Sequence, residues 1–137
     1  MLQNVCDYGR FVAVDAQPVQ VIEAAKAALK DEGFGVLCEI DVAKTLKEKI
    51  GADVAPYVIL GACNPQFANT SLQADPNLGL LLPCNLIVRQ TEGATIVGAI
   101  DASKMLSVVG NPALDPIARE VNERLGRVLD KLDAMRF

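Results

Sequence analysis

The stretch that decides the fold of this chain is Tyr57-Val58-Ile59-Leu60-Gly61-Ala62-Cys63-Asn64-Pro65. Its first part, residues 57–62, is continuously apolar, which is typical of a strand buried on both faces. Asn64 followed by Pro65 predicts a helix directly after the strand, because Asn is a favoured N-cap and Pro is favoured in the first turn. Cys63 therefore lies at the predicted junction between a buried strand and the start of a helix.

Strands and helices are predicted on both sides of this stretch. The further strands are predicted at 11–14, 35–40, 86–90 and 95–100, the last two as a hairpin, and the further helices begin near residues 18, 42 and 115. No linker or repeat divides the chain, so residues 1–137 are predicted to form a single domain, with residues 1–7 as a mobile N-terminal arm. The element order predicts an α+β fold in two layers: a mixed or antiparallel five-stranded β-sheet with helices packed mainly on one face.

Composition and charge restrict the class of protein. The chain is 51% apolar but only 4% aromatic, so we expect a core of aliphatic side chains. The net charge of -4 and the absence of a basic cluster argue against a nucleic-acid partner. No apolar run reaches the ~20 residues of a membrane helix, and residues 1–11 lack the features of a secretory signal. We therefore expect no membrane partner and a cytoplasmic location, in which the four cysteines stay reduced.

The chain contains no histidine. Pairs of Ser or Cys with His, His acid–base relays and His metal ligands are therefore excluded. Covalent or metal chemistry has to rest on thiols, carboxylates and backbone dipoles. The strongest candidates are two Cys-Asn dipeptides beside prolines, Cys63-Asn64-Pro65 and Pro83-Cys84-Asn85, because both fall at predicted element boundaries.

Each of these two cysteines has a structural and a functional interpretation. Cys63 precedes a predicted helix N-cap, where free N–H groups and the helix dipole favour a thiolate. It is otherwise the buried last residue of an apolar strand, since cysteine is often buried. Cys84 alternates with Leu86 and Val88, which predicts burial in the core. If the sheet brings the two strands together, the cysteines form a dithiol without Cys-x-x-Cys spacing.

Four further residues, two aspartates and the two other cysteines, are open to similar interpretations. Asp41 and Asp101 each follow a predicted strand and could lie at a cleft, although helix or turn capping is the commoner use of Asp in this position. Cys38 falls on the predicted core face of its strand, so we expect a packing role for it. Cys6 lies in the predicted mobile arm and is the thiol most open to oxidation.

Several segments together resemble a known family. They are Glu32-Gly33-Phe34-Gly35-Val36-Leu37, Glu39-Ile40-Asp41-Val42, Thr45-Leu46-Lys47-Glu48-Lys49-Ile50-Gly51, the stretch from Tyr57 to Pro65, and Gly79-Leu80-Leu81-Leu82-Pro83-Cys84-Asn85. The combination resembles the domain of unknown function family numbered 302, over residues 8–105. The resemblance implies a small α+β fold and a homodimer, and it supplies no established reaction. It also implies that the two cysteines of the family's pattern correspond to Cys63 and Cys84, with Asn64, Pro65 and Pro83 beside them.

The sequence leaves three functions open and specifies no cofactor. In the first, Cys63 is a nucleophile of lowered pKa and Cys84 a second thiol in the binding of a small molecule or in redox exchange. The ligand-binding candidates for that function are Asn64, Pro65, Pro83, Asn85, Asp41 and Asp101. In the second, the two thiolates bind a soft metal such as Cu(I), with Met105 as a further ligand. In the third, both cysteines are structural and the chain is a non-catalytic homodimeric interaction domain.

Overall fold

A five-stranded sheet forms the centre of the computed structural model, which describes residue 2 and residues 5–137. The strands are β1 (Gly9–Val14), β2 (Gly35–Asp41), β3 (Tyr57–Cys63), β4 (Cys84–Thr91) and β5 (Ala94–Ile100). Their spatial order is β1-β5-β4-β3-β2, and each neighbouring pair runs antiparallel. The predicted hairpin is thus confirmed as β4 and β5, and the sheet is antiparallel throughout.

The helices are α1 (Pro18–Asp31), α2 (Val42–Ile50), α3 (Pro65–Ala74), α4 (Ala102–Ser107) and α5 (Asp115–Ala134). Helices α1, α3, α4 and α5 contribute side chains to the core on one face of the sheet, whereas α2 has no buried residue. The buried sides of α1 and α5 pack in one core with Leu86, Val88 and Val97 of the central strands. Full burial of one such aliphatic side chain contributes about 1.5–3 kcal/mol. The α+β fold with helices mainly on one face is therefore confirmed. Among the described residues, no helix is both long and apolar enough to cross a membrane.

Side-chain caps fix the starts of helices at the ends of strands. Asn64 Oδ1 accepts hydrogen bonds from two backbone N–H groups of α3, at 3.1 and 3.2 Å. The Asp41 carboxylate accepts one from the N–H of Lys44 in α2, at 2.9 Å. The Asp101 carboxylate accepts two from N–H groups of α4, at 2.9 and 3.3 Å. The predicted N-cap at Asn64 and the capping interpretation of both aspartates are therefore confirmed.

The position of Cys38 differs from the prediction. The pairing of β2 with β3 shifts between Val36 and Cys38, so that Val36 lies opposite Ala62 and Cys38 lies opposite Gly61. Such a bulge adds one residue to a strand and reverses the face on which the following side chains lie. Cys38 is consequently exposed instead of packed in the core, and the prediction for it is wrong.

The N-terminal segment is joined to the sheet at one described point. The backbone N–H of Leu2 donates to the carbonyl oxygen of Phe11 at 2.7 Å, which forms an isolated antiparallel bridge. Residues 1, 3 and 4 of the predicted mobile arm lie outside the described residues. The mobility of the arm stays a prediction.

The other face of the sheet carries an apolar row that crosses all five strands. In order across the sheet, the paired residues are Ile40, Ile59, Ile87, Gly98 and Phe11. Directly paired residues share a face, so these five form one line, which we call the sheet-face row. A Cβ on Gly98 would lie 2.6 Å from a ring carbon of Phe11, so the ring packs directly on the glycine backbone. The row therefore gives this face an apolar surface opposite the helices.

Candidate functional site

A cavity of about 230 Å³ lies at the end of the sheet where α3 begins. Strands β3 and β4 supply one side, and helices α3, α4 and α5 supply the others. Its walls are mainly apolar and include Phe34, Phe67, Leu82, Met105, Ile117 and Val121. Apolar walls with a few polar groups are typical of small-molecule sites.

Four of the predicted site residues meet in this cavity: Cys63, Asn64, Pro83 and Cys84. The reason is the strand order, which makes β3 and β4 neighbours and pairs Ala62 with Cys84. Cys63 directly follows Ala62 in β3, so the two cysteines lie at the same end of the sheet, and both line the cavity. Both are free cysteines. The structure thus forms a pair of thiols that no local spacing in the sequence encodes.

The other four predicted site residues lie outside the walls of this cavity. Pro65 is exposed in the first turn of α3. Asn85 follows Cys84 in β4, and strand alternation turns it to the opposite face of the sheet. Asp41 and Asp101 cap α2 and α4, as described above. The cavity therefore has no carboxylate from the predicted set in its walls.

The two thiols have different surroundings. Cys84 is 7% exposed, and burial raises the pKa of its thiol from 9.0 to about 11, with the neighbouring Cys63 charge as a second cause. Cys84 consequently stays protonated near neutral pH. Cys63 is only partly buried and directly precedes the N-cap of α3. The more accessible thiol is therefore the one at the helix start.

The soft metal donors in the cavity walls are sulfur atoms. Within residue 2 and residues 5–137, no group of three or more His, Cys, Asp or Glu side chains is arranged to hold a metal ion. Met105 lines the same cavity as Cys63 and Cys84. Two thiols and a thioether are ligands that suit soft ions such as Cu(I).

Apart from Met105, the wall contributed by α4 and α5 is missing from the sequence predictions. Ala102 and Leu106 of α4 and Ile117 and Val121 of α5 line the cavity. One signal for α4 was available, since Asp101 is a good N-cap and Ala102 and Leu106 are four residues apart. The wall residues of α5 belong to its predicted apolar stripe, but the sequence does not specify which strand they meet.

We expect Cys84→Ala to reduce the loss of stability in alkaline solution. The thiol ionises near pH 9.0 when unfolded and near 11 when folded, so above pH 9.0 the unfolded state releases its proton first. The contribution of the buried thiol is fully present below pH 9.0 and is lost as the pH rises through about 11. That loss is on the order of 2–3 kcal/mol.

Urea unfolding at a series of pH values measures this difference. The free energy of unfolding of the wild type should fall more steeply between pH 9.0 and 11 than that of Cys84→Ala. Cys38→Ala, which removes an exposed thiol, is the matched control and should follow the wild type. Equal slopes for the wild type and Cys84→Ala would contradict the raised pKa.

Comparisons with known proteins agree with this architecture. The chain is similar to the crystal structure of the uncharacterized conserved protein DUF302 from Bacillus stearothermophilus, with 35% sequence identity and a TM-score of 0.87. The match covers 93% of this chain and 99% of the other. No curated protein matches the chain. The family model described as "Domain of unknown function DUF302" matches residues 11–132. Because this match spans most of the sequence, the chain belongs to the DUF302 family.

Proposed function

We propose that this domain binds a small, mainly apolar molecule in the cavity and exchanges thiols with it through Cys63 and Cys84. The observation that carries the proposal is that both cysteines line one cavity of about 230 Å³. An engineered apolar cavity of about 150 Å³ is large enough for benzene. The volume here is therefore sufficient for a ring with a short substituent.

The surroundings of the thiols assign their roles. Thiol exchange starts from a thiolate, and the raised pKa of Cys84 disfavours its ionisation. Cys63 is more accessible than Cys84 and directly precedes the N-cap of α3. Cys63 is therefore the attacking thiol, and Cys84 is the second thiol that resolves the intermediate.

The reaction that fits this pair is the reduction of a small organic disulfide. The Cys63 thiolate forms a bond to one sulfur of the disulfide, and the other sulfur leaves as a thiolate that takes a proton. The Cys84 thiol then loses its proton, attacks Cys63 in the mixed disulfide and releases the second thiol. The disulfide is reduced to two thiols while the protein is oxidised to a Cys63–Cys84 disulfide. A low-molecular-weight dithiol restores the reduced protein, which fits the reducing cytoplasm.

Variants lacking one thiol at a time test this scheme with 2,2′-dipyridyl disulfide as the substrate. The background is Cys6→Ser/Cys38→Ser, which leaves Cys63 and Cys84 as the reactive pair. In this background we expect two pyridinethiones per protein, because both steps proceed. Adding Cys84→Ser should stop the reaction at one pyridinethione and a mixed disulfide, while Cys63→Ser should abolish the rapid reaction.

Absorbance of the released pyridinethione and mass spectrometry of the protein distinguish the outcomes. Full activity in Cys63→Ser would contradict the assignment of the attacking thiol. If neither cysteine reacts until the protein is unfolded, the cysteines are structural and the interaction-domain interpretation stands instead. Far-UV circular dichroism verifies that each variant keeps its fold.

A second candidate is the binding of a soft metal, and the position of Met105 favours it. The thioether of Met105 lines the same apolar cavity as the two thiols. Cu(I) binding would release the thiol protons and give each sulfur an ionic partner.

Competition with a chromogenic Cu(I) chelator tests this candidate. We expect one Cu(I) per protein, and about tenfold weaker binding in Met105→Leu, which conserves volume and removes the sulfur. Cys63→Ser/Cys84→Ser should lose the ion. Cys38→Ser, at an exposed site, is the control that retains it. Equal affinity of wild type and the double variant would contradict the candidate.

We also propose that two copies of the chain form a homodimer through the sheet-face row. The row is apolar, crosses every strand and lies on the face away from the core. Its exposure falls from 45% at Ile40 to 8% at Phe11. A two-fold axis brings the same patch of both copies together, and two apolar sheet faces pack well on each other. Ligand binding in the cavity does not depend on this dimer.

Sedimentation of Ile87→Glu tests the homodimer. Ile87 is at the centre of the row, so a buried carboxylate there should convert dimers to monomers while the circular dichroism spectrum stays unchanged. Val19→Glu, on α1 and 75% exposed, is the matched control and should remain dimeric. A wild type that sediments as a monomer would rule out the proposal.

A further inference from the structure

An unused hydrogen-bond donor lies in the cavity wall at the start of α3. Asn64 is only 9% exposed, and its Oδ1 is occupied by two backbone N–H groups. These bonds fix the amide orientation, so Nδ2 points the other way. Nδ2 donates to no acceptor among the described residues. Because Asn64 is also a wall residue of the cavity, this amide N–H is available to an acceptor on a bound ligand.

A positive charge lies beside this donor. The Arg124 guanidinium carbon is 5.1 Å from the ring centroid of Phe67, which is a wall residue. A Cβ on Gly33 would lie 3.0 Å from Asn64 Nδ2 and 3.1 Å from Arg124 Nη1, so both nitrogens border the same space. The Asn64 amide, which is in the cavity wall, and the Arg124 guanidinium, which is outside it, are therefore neighbours beside Gly33.

Part of the Arg124 guanidinium is engaged within the fold. Its Nε donates to Glu120 Oε1 and its Nη1 to the carbonyl oxygen of Glu32, each at 3.0 Å. For Nη2 there is no acceptor in the part of the chain that the structure describes. The side chain of Arg124 is 31% exposed. The guanidinium therefore keeps donors available for a ligand, while Glu120 offsets part of its charge.

We infer that the cavity takes a small carboxylic acid, with the apolar body among the aromatic and aliphatic walls and the carboxylate accepting from Asn64 Nδ2 beside Arg124. A carboxylate is favoured over a neutral acceptor because a guanidinium and the start of a helix both stabilise negative charge. The inference rests on the proposed function and narrows it: the disulfide or thiol exchanged at Cys63 carries a carboxylate.

Binding of phenylacetate and of 2-phenylethanol, measured by calorimetry on the reduced protein, tests this inference. The two probes share the ring and the chain length, and only phenylacetate carries a carboxylate. We expect phenylacetate to bind the wild type at least about tenfold more tightly, which is the effect of one charge-assisted hydrogen bond. Neither probe reacts with thiols, so the result is independent of the exchange reaction.

Asn64→Asp is the sharpest variant. Aspartate is as good an N-cap as asparagine, so the variant keeps the acceptor for α3 while it removes the donor and adds a negative charge. Phenylacetate affinity should fall at least about tenfold while 2-phenylethanol affinity stays unchanged. Asn111→Asp is the matched control, because Asn111 Oδ1 also caps a helical turn, at 3.0 Å from Ala113 N, outside the cavity walls.

Each outcome has one meaning. Equal affinity of the wild type for both probes, or unchanged phenylacetate affinity in folded Asn64→Asp, overturns the carboxylate inference and leaves the cavity and its thiols in place. Should Asn64→Asp fail to fold, Arg124→Gln replaces it and should weaken phenylacetate alone. Failure of both probes to bind overturns this inference together with the ligand-binding part of the proposed function. If only the exchange with dipyridyl disulfide fails, the proposed thiol exchange is wrong and the carboxylate inference still stands.

Discussion

The structure depends on how the Asn64 side chain uses the two ends of its amide. The oxygen accepts two backbone N–H groups of α3, which fixes the start of the helix directly after β3. Such a cap stabilises a helix by about 1 kcal/mol. The same bonds turn the amide nitrogen away from the helix, toward Gly33. One side chain thus sets where α3 begins and which polar group the cavity offers.

Strand order explains why two cysteines that are distant in sequence share one cavity. Side chains from both sides pack over Gly61: a Cβ there would lie 2.5 Å from Cys38 Sγ and 2.8 Å from Pro83 Cγ. A side chain at position 61 would therefore displace them. The surroundings then distinguish the two thiols, because burial raises the pKa of Cys84 while Cys63 stays partly accessible at the helix start. A pair with equal surroundings would have no order of reaction.

The features predicted correctly from the sequence are those that short-range interactions determine. The caps at Asp41 and Asn64 span two or three residues, and the burial of Cys84 follows from strand alternation. The bulge that exposes Cys38 depends instead on the register with β3, which no pattern within β2 encodes. The walls from α4 and α5 depend on contacts between distant segments. The sequence therefore indicated the thiols with Asn64 and Pro83 beside them, but not the apolar walls that the helices contribute.

Asn64 has one feature that the sequence predicts and one that it does not. Its role as an N-cap is local and was predicted, whereas its unused nitrogen has meaning only beside Arg124, which is sixty positions away and carries no motif. Charge patterning alone assigns Arg124 to an ion pair with Glu120, four residues earlier on the same helix.

The two faces of the sheet separate the two kinds of interaction proposed for this domain. In β4, strand alternation places Cys84 in the cavity and the adjacent Asn85 on the opposite face, so the Cys-Asn dipeptide contributes to both faces. A partner packed on the sheet-face row would cover Asn85 and leave the cavity accessible. Ligand binding and dimerisation would then be linked through the backbones of β2, β3 and β4, which contribute residues both to the cavity and to the row. Substitutions on one face are therefore expected to affect one property while they leave the other unchanged.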